Sequence, residues 1–367
     1  MNTMDTMKFM KGITFAPFHK RGSLSTETAR KSFDYMIEQT AADFVVLAPV
    51  GIQKTAHSEE ICYTSEDTFS DEELIQMIRY AKEKGIRVGL KPTVNCKDGT
   101  WRAYISFFEH DVPCEPKWEN WFASYTEFQK HYARIAETEQ CELFIAGCEM
   151  VMTEHREKQW REVIASIREE YHGLVSYNTD KYQEENVSWW DCVDVISSSG
   201  YYPVDKWEQE LDRIEKTVLK YQKPFFFAEA GCMSRKGSGM VPNNWELQGE
   251  LYLEEQCEWY QAMFEACKNR LWLRGFALWE WAPKLPSESE AWKDSSYEIC
   301  NKPVQEVIRR FYENETEKYF TACTEKKFIS EIRAGSLERR SRDDASVPTE
   351  QRKQFTDTDL LVQRSLS

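Results

Sequence analysis

Eight short apolar runs recur along the first three hundred residues, and they restrict this chain to very few folds. They are "GITFAPF" (12–18), "DFVVLAPV" (43–50), "IRVGLKP" (86–92), 142–149, "GLVSYN" (173–178), "DVISSSGYYP" (194–203), "KPFFFAEAG" (223–231) and "LRGFALWEWAP" (273–283). Most are followed by a segment of helical period. Ala29, Phe33, Met36 and Ile37 share one face, as do Trp118, Trp121, Tyr125, Phe128, Tyr132 and Ile135. The same holds for Trp160, Val163, Ile164 and Ile167, and for Trp207, Leu211, Ile214 and Val218. Ser70 and Glu73 form a capping-box pattern, and Gly85 ends that helix. Only a short helical piece around "SWWDCV" follows the fifth run. A helix from about Trp245 to Cys267 follows the seventh, and "KPVQEVIRRFYE" closes the series.

Apolar runs alternating with helices signal an α/β protein with parallel strands. Eight such units over roughly 310 residues match the (β/α)8 TIM barrel. A doubly wound open sheet is the rival. Its nucleotide-binding forms are disfavoured, because no G-x-G-x-x-G follows an early strand and no G-x-x-x-x-G-K-[ST] occurs. The expected division is a catalytic barrel over 1–315 and a charged, flexible tail over 320–367, where "ERRSRDDASVPTEQRKQ" has few apolar residues and no period.

A net charge of −15 argues against nucleic acid or an anionic membrane as partner, so a neutral substrate is expected. The 13 tryptophans exceed what such a chain needs, and while most must fill core, some can line a groove for flat, weakly polar ligands. The 11 cysteines show no C-x-x-C spacing and are odd in number, so neither a zinc cluster nor a disulfide framework is expected. "MNTMDTMKFMKG" has no signal pattern and no window spans a bilayer, which predicts a cytoplasmic protein. A monomer without metal or organic cofactor is expected.

In a barrel the active residues sit where strands end. "LFIAGCEMVM" places Glu149 at the end of the fourth run, and "PFFFAEAGCM" places Glu229 at the end of the seventh. A lone buried acid is costly unless it is paired or functional. Strands four and seven face each other across a barrel mouth, so the two acids can flank one bond. Glycoside hydrolysis needs such a pair, and a separation of about 5 to 5.5 Å gives the retaining route. The acid requires a raised pKa, from a dry setting and the charge of its partner, and the nucleophile requires donors. Tyr201 or Tyr202 after strand six and Asn178 after strand five are placed to donate. Alternation along "WEW" puts Trp279 and Trp281 on one side and Glu280 on the other, so that one indole forms a sugar platform. Lys91, Asn95 and His57 are weaker candidates for contacts to sugar hydroxyls.

At these residues the chain resembles the glycoside hydrolases of clan A, and within the clan family 113, whose members are retaining β-1,4-mannanases and manno-oligosaccharide hydrolases. "KGITFAPF", "VVLAPVGIQKT", "GLKPTVN", "FIAGCEM", "GYYP", "FFFAEAG" and "ALWEWAP" carry the resemblance over about 8–315. It implies Glu149 as acid/base, Glu229 as nucleophile, Tyr202 as the tyrosine touching the nucleophile, and Trp279 or Trp281 as platform. Most of the clan has Asn before the acid/base, where this chain has Cys148, so the group holding the sugar 2-hydroxyl is unassigned. The expected activity is retaining hydrolysis of β-mannan or manno-oligosaccharides. The alternatives are a β-glucosidase or other clan A glycosidase, and a carbohydrate-binding barrel without catalysis.

Overall fold

A computed structural model describes residues 7–314. Ten strands form: β1 (Met10–Phe15), β2 (Phe44–Leu47), β3 (Val50–Gln53), β4 (Arg87–Leu90), β5 (Thr93–Cys96), β6 (Leu143–Cys148), β7 (Leu174–Thr179), β8 (Val195–Ser199), β9 (Phe225–Ala230) and β10 (Leu273–Trp281). Eight of them close into a barrel in the order β1-β10-β9-β8-β7-β6-β4-β2, all neighbours parallel. The fold is therefore the expected (β/α)8 barrel. β3 and β5 carry the second and third barrel strands past the rim as a separate parallel pair, from Val50 opposite Thr93 to Gln53 opposite Cys96.

The surrounding helices are α1 (Glu27–Thr40), α2 (Asp71–Glu83), α3 (Trp118–Thr138), α4 (Glu157–Glu170), α5 (Trp207–Tyr221), α6 (Leu253–Cys267), α7 (Glu288–Ala291) and α8 over 304–314. The capping box opens α2 as expected: Glu73 N donates to Ser70 Oγ at 3.2 Å, and Ser70 N donates to Glu73 Oε2 at 3.0 Å. The helix expected from Trp245 begins only at Leu253. The residues before it run back along 235–236, where Arg235 Nη1 donates to Leu247 O at 2.6 Å and Lys236 N donates to Glu250 O at 2.9 Å. No helix among the described residues is long and apolar enough to cross a membrane. The charged tail expected over 320–367 lies outside the described residues.

Two apolar layers hold the barrel. Inside it, Met10, Phe44, Val46, Leu143, Ile145 and Phe226 pack together. Phe44 fills so much of this space that a Cβ on Gly89 would come within 2.8 Å of its ring, which is why that strand position carries no side chain. Outside, most of the tryptophans fill the strand–helix layer, as expected. Trp160 stacks on Trp189 at 4.9 Å, Trp121 stacks on Tyr125 at 4.8 Å, and all four are buried. Truncating one such buried ring costs roughly 3–5 kcal/mol.

Three strands slip register near the barrel mouth. In β6 the step from Ile145 to Cys148 opposes Ser176 to Asn178. In β9 Phe227 to Glu229 opposes Ser198 to Ser199, and in β10 Leu278 to Trp281 opposes Ile13 to Phe15. Each bulge inserts one residue and re-aims the side chains beyond it. Without the bulge in β9, strict alternation from Phe226 and Ala228 would turn Glu229 outward. Gly147 sits inside the β6 bulge at φ +106°, and a Cβ there would lie 2.1 Å from the Tyr125 hydroxyl.

Candidate active site

Glu149 follows the β6 bulge, with φ +52° and its N–H on Asn178 O at 2.7 Å. Three donors meet its carboxylate. Ser199 Oγ donates to Oε1 at 2.7 Å, and Trp101 Nε1 and Arg102 Nη1 donate to Oε2 at 3.0 and 3.1 Å. Arg102 is itself fixed, through Nε on Val94 O at 2.9 Å and Nη2 on Asn95 Oδ1 at 2.9 Å. Asn95 thus holds the arginine, and in its buried setting Glu149 has an ion-pair partner that the sequence analysis did not expect.

Three side chains meet the Glu229 carboxylate. Lys91 Nζ lies 2.5 Å from Oε1 and also donates to Ala228 O at 3.0 Å. The Cys148 thiol donates to Oε1 at 3.1 Å, and Tyr201 OH donates to Oε2 at 3.1 Å. Burial alone would push the Glu229 carboxyl up, but Lys91 and Arg102 with these hydrogen bonds hold it below the usual carboxylate value. Lys91 is buried against this carboxylate and is not placed for the sugar-hydroxyl contact expected of it.

Two further expectations are corrected at this point. The tyrosine touching Glu229 is Tyr201. Tyr202 points out of the barrel, where its hydroxyl donates to Glu184 and its ring packs edge-on against Trp207 at 5.2 Å. Asn178 does not donate to Glu229 either. Its amide N–H groups go to Thr179 O at 2.8 Å and Ser199 Oγ at 3.1 Å, leaving Oδ1 toward Lys91 at 3.5 Å.

Both carboxylates open onto a cavity of about 950 Å³ walled by aromatic rings, among them Phe18, Trp101, Tyr104, Trp245, Trp279 and Tyr297. Trp279 lies in its wall, 5.3 Å from Phe18, while Trp281 does not. The β10 bulge reverses the expected alternation, so Glu280 faces the cavity. Trp281 turns into the outer layer, fully buried, with Nε1 on Ser32 Oγ at 3.0 Å. The Trp279–Glu280 peptide bond is cis. His57 is outside the cavity wall, its Nδ1 donating to Ser106 O at 2.8 Å.

Sequence reasoning missed Trp101, Arg102, Ser199, Asp180 and Glu280. Asp180 lines the cavity, and burial and the nearby Glu149 push its carboxyl up to about 7. Among the described residues, Cys148, Glu149 and Glu229 form a group with metal-ligand spacing, one ligand atom of each lying within 4.8 Å of the others. Lys91 and Arg102 already supply positive charge to both carboxylates, so the arrangement suits a reacting pair better than a cation.

The chain's likenesses agree with this geometry. The model of Glycoside Hydrolase Family 113 matches residues 13–302. A solved structure described as a GH113 β-1,4-mannanase is 52% identical, with a TM-score of 0.83, over 84% of this chain and 99% of that one. The GH113 β-mannanase AaManA from Alicyclobacillus acidocaldarius, in complex with ManMIm, is 41% identical, with a TM-score of 0.81 and the same coverage. A β-glucuronidase from Ruminococcus gnavus shares the fold alone, at 15% identity and a TM-score of 0.57 over 83% of this chain and 50% of that one. No curated protein matches the chain.

Proposed function

The chain belongs to Glycoside Hydrolase Family 113 and is a glycoside hydrolase, and from that premise we propose that it cleaves β-1,4-mannoside linkages with retention of configuration. Glu149 is the acid/base and Glu229 the nucleophile. Glu229 attacks the anomeric carbon while Glu149 gives its proton to the departing glycosidic oxygen. This leaves a glycosyl ester on Glu229. Glu149, now ionised, takes a proton from water as the water oxygen attacks the same carbon, and Glu229 departs as carboxylate.

One observation carries this reading: an oxygen of Glu149 and an oxygen of Glu229 lie within 4.8 Å of each other. That supports direct attack, since an inverting pair stands about 6.5–9.5 Å apart to admit water between. The lowered pKa of Glu229 favours the ionised form a nucleophile needs. Trp279, beside Glu229 in the cavity wall, offers a face for the sugar ring. The assignment to mannose rests on the β-1,4-mannanases among the similar structures, 41% and 52% identical. The expected cytoplasmic location makes manno-oligosaccharides the substrate to test first.

The test is digestion of an end-labelled manno-oligosaccharide ladder, with the anomer of the first product read by NMR. Glu229→Gln should reduce turnover to near background. Glu149→Ala should fail on oligosaccharides yet still cleave aryl mannosides whose leaving group needs no proton. An α-configured first product, or either variant near wild-type on oligosaccharides, would reject the assignment.

A further inference from the structure

A second cavity, of about 500 Å³, adjoins the catalytic one, and Glu280 lines both. The same three chain segments build the two walls. Phe18, Trp279 and Tyr297 face the catalytic side, while His19, Ala282 and Ser296 face the other. Glu280, at the end of β10, thus stands at the border of the two spaces.

The second cavity's polar groups are mostly committed. Both oxygens of Glu298 accept from Ala282 N at 3.1 Å. Asp294 pairs with the buried Lys302 at 3.2 Å and accepts from Ser296 Oγ at 2.7 Å. His19 Nδ1 donates to Pro17 O at 2.8 Å, which leaves Nε2 for a ligand. The exception is Glu280, whose carboxylate has no hydrogen-bond or ion-pair partner among the described residues, although burial, Glu298 and Glu229 push it up to about 8. A carboxyl pushed up in this way is largely protonated near neutral pH, and in either form its oxygens accept from the hydroxyl groups of a ligand.

The chemistry of the walls narrows the ligand. No Phe, Tyr or Trp lines the second cavity, so what enters is held by hydrogen bonds rather than by stacking. Its acids outnumber its bases, which disfavours uronic acids and sugar phosphates. Its size, at the low end of the roughly 300–1,000 Å³ of ligand cavities, suits one sugar unit. A glycan lying along the aromatic wall of the catalytic cavity would meet the second space at Glu280, which lines both.

We propose that this second cavity binds a neutral hexosyl side branch of the glycan, carried on the sugar that lies against Trp279, with Glu280 accepting hydroxyl hydrogen bonds at the junction. The proposal rests on the glycan-hydrolase reading above. It makes the enzyme tolerant of branches next to the cleaved bond, where a closed wall would reject them.

The experiment compares a linear manno-oligosaccharide with the same oligosaccharide bearing one galactosyl branch, for the wild type, Leu285→Trp and Leu285→Ala. Leu285 is 39% exposed and lines only the second cavity, so a larger ring there narrows it without touching the catalytic pair. Wild type should cleave the branched substrate within about threefold of the linear one. Leu285→Trp should lose about tenfold or more in kcat/KM on the branched substrate alone, a loss of about 1.4 kcal/mol, and Leu285→Ala should retain both activities. Wild-type rejection of the branch, an equal loss on both substrates, or no loss on either overturns the proposal, as does a loss confined to longer linear chains. Absence of cleavage on every linear substrate would instead remove the glycan-hydrolase reading beneath it. Thermal melting of each variant confirms that the fold is intact.

Discussion

Lys91 and Glu229 form an ion pair at 2.5 Å in which the lysine side chain is 1% exposed and the glutamate 7%. Arg102 stands in the same relation to Glu149, at 3.1 Å, so each proposed catalytic carboxylate has its own buried cation. Removing one partner of such a pair strands the other charge, at a cost of roughly 3–5 kcal/mol. Lys91→Met should therefore destabilise the fold and raise the pKa of Glu229. The sign follows from the charge: a carboxyl held low by a cation rises when the cation goes, and the protonated acid is no nucleophile. The acid limb of kcat/KM should move to higher pH, while the surviving activity at alkaline pH falls less. A pH–rate profile whose acid limb stays at its wild-type position would show that Lys91 does not act through Glu229.

Tyr201 and Tyr202 are neighbours in sequence with opposite duties. Tyr201 donates to Glu229 at 3.1 Å, whereas Tyr202 donates to Glu184, which also pairs with Arg213 at 2.8 Å. A hydrogen bond to a charged group is worth roughly 1.5–3 kcal/mol. Tyr201→Phe should lower kcat about ten- to hundredfold with little change in melting temperature. Tyr202→Phe should lower the melting temperature and leave kcat within about threefold of wild type. Steady-state kinetics and thermal melts on the two variants separate these outcomes, and the reverse pattern would refute the division.

The adjacency of these two residues shows where reading a sequence stops. The barrel is legible because eight apolar runs and their helices repeat at a fixed spacing, and Glu149 and Glu229 are legible because an acid ending an apolar run is costly. Which of two consecutive tyrosines faces the mouth depends on a backbone turn that no periodicity records. The Trp281 expectation failed for a related reason, since one inserted residue in β10 inverts the alternation beyond it. Trp101 and Arg102 reach Glu149 across nearly fifty residues of sequence, along a loop whose path is set by Val94 and Asn95. No local pattern announces that.

Glu154 ties stability to pH. It is buried, and it accepts from Tyr177 OH at 2.8 Å and Thr179 Oγ1 at 2.6 Å. Burial, with the charges of Asp180 and Glu184, pushes its carboxyl from 4.5 up to about 8 in spite of these bonds. The folded chain thus favours the protonated acid, while the unfolded chain ionises near 4.5. Stability from this group is full below that value and is lost as pH rises through about 8. Glu154→Gln removes the ionisation and keeps an acceptor for the two hydroxyls. Its melting temperature should exceed that of the wild type at pH 8 and match it near pH 4. A difference of the same size at both pH values would mean that Glu154 does not titrate in this window.

Trp245 lines the cavity on the side of the proposed proton donor. It is 60% exposed in the loop before α6, and its ring lies 6.1 Å from Trp101, edge to face, across the cavity. Trp101 in turn donates to Glu149, which locates the two rings beside the proposed proton donor. A sugar leaving with that proton would pass beside this aromatic pair, and an aromatic contact of this kind is worth roughly 0.5–1.5 kcal/mol. Trp245→Ala should therefore lower kcat/KM on manno-oligosaccharides about two- to tenfold, mainly through KM. Aryl mannosides with a small leaving group should change less, because their aglycone does not extend to the loop. The products of an end-labelled oligosaccharide should also shift, since one wall that fixes where the chain sits is gone. Equal losses on aryl mannosides and on oligosaccharides, with an unchanged product pattern, would place Trp245 outside the path of the leaving group.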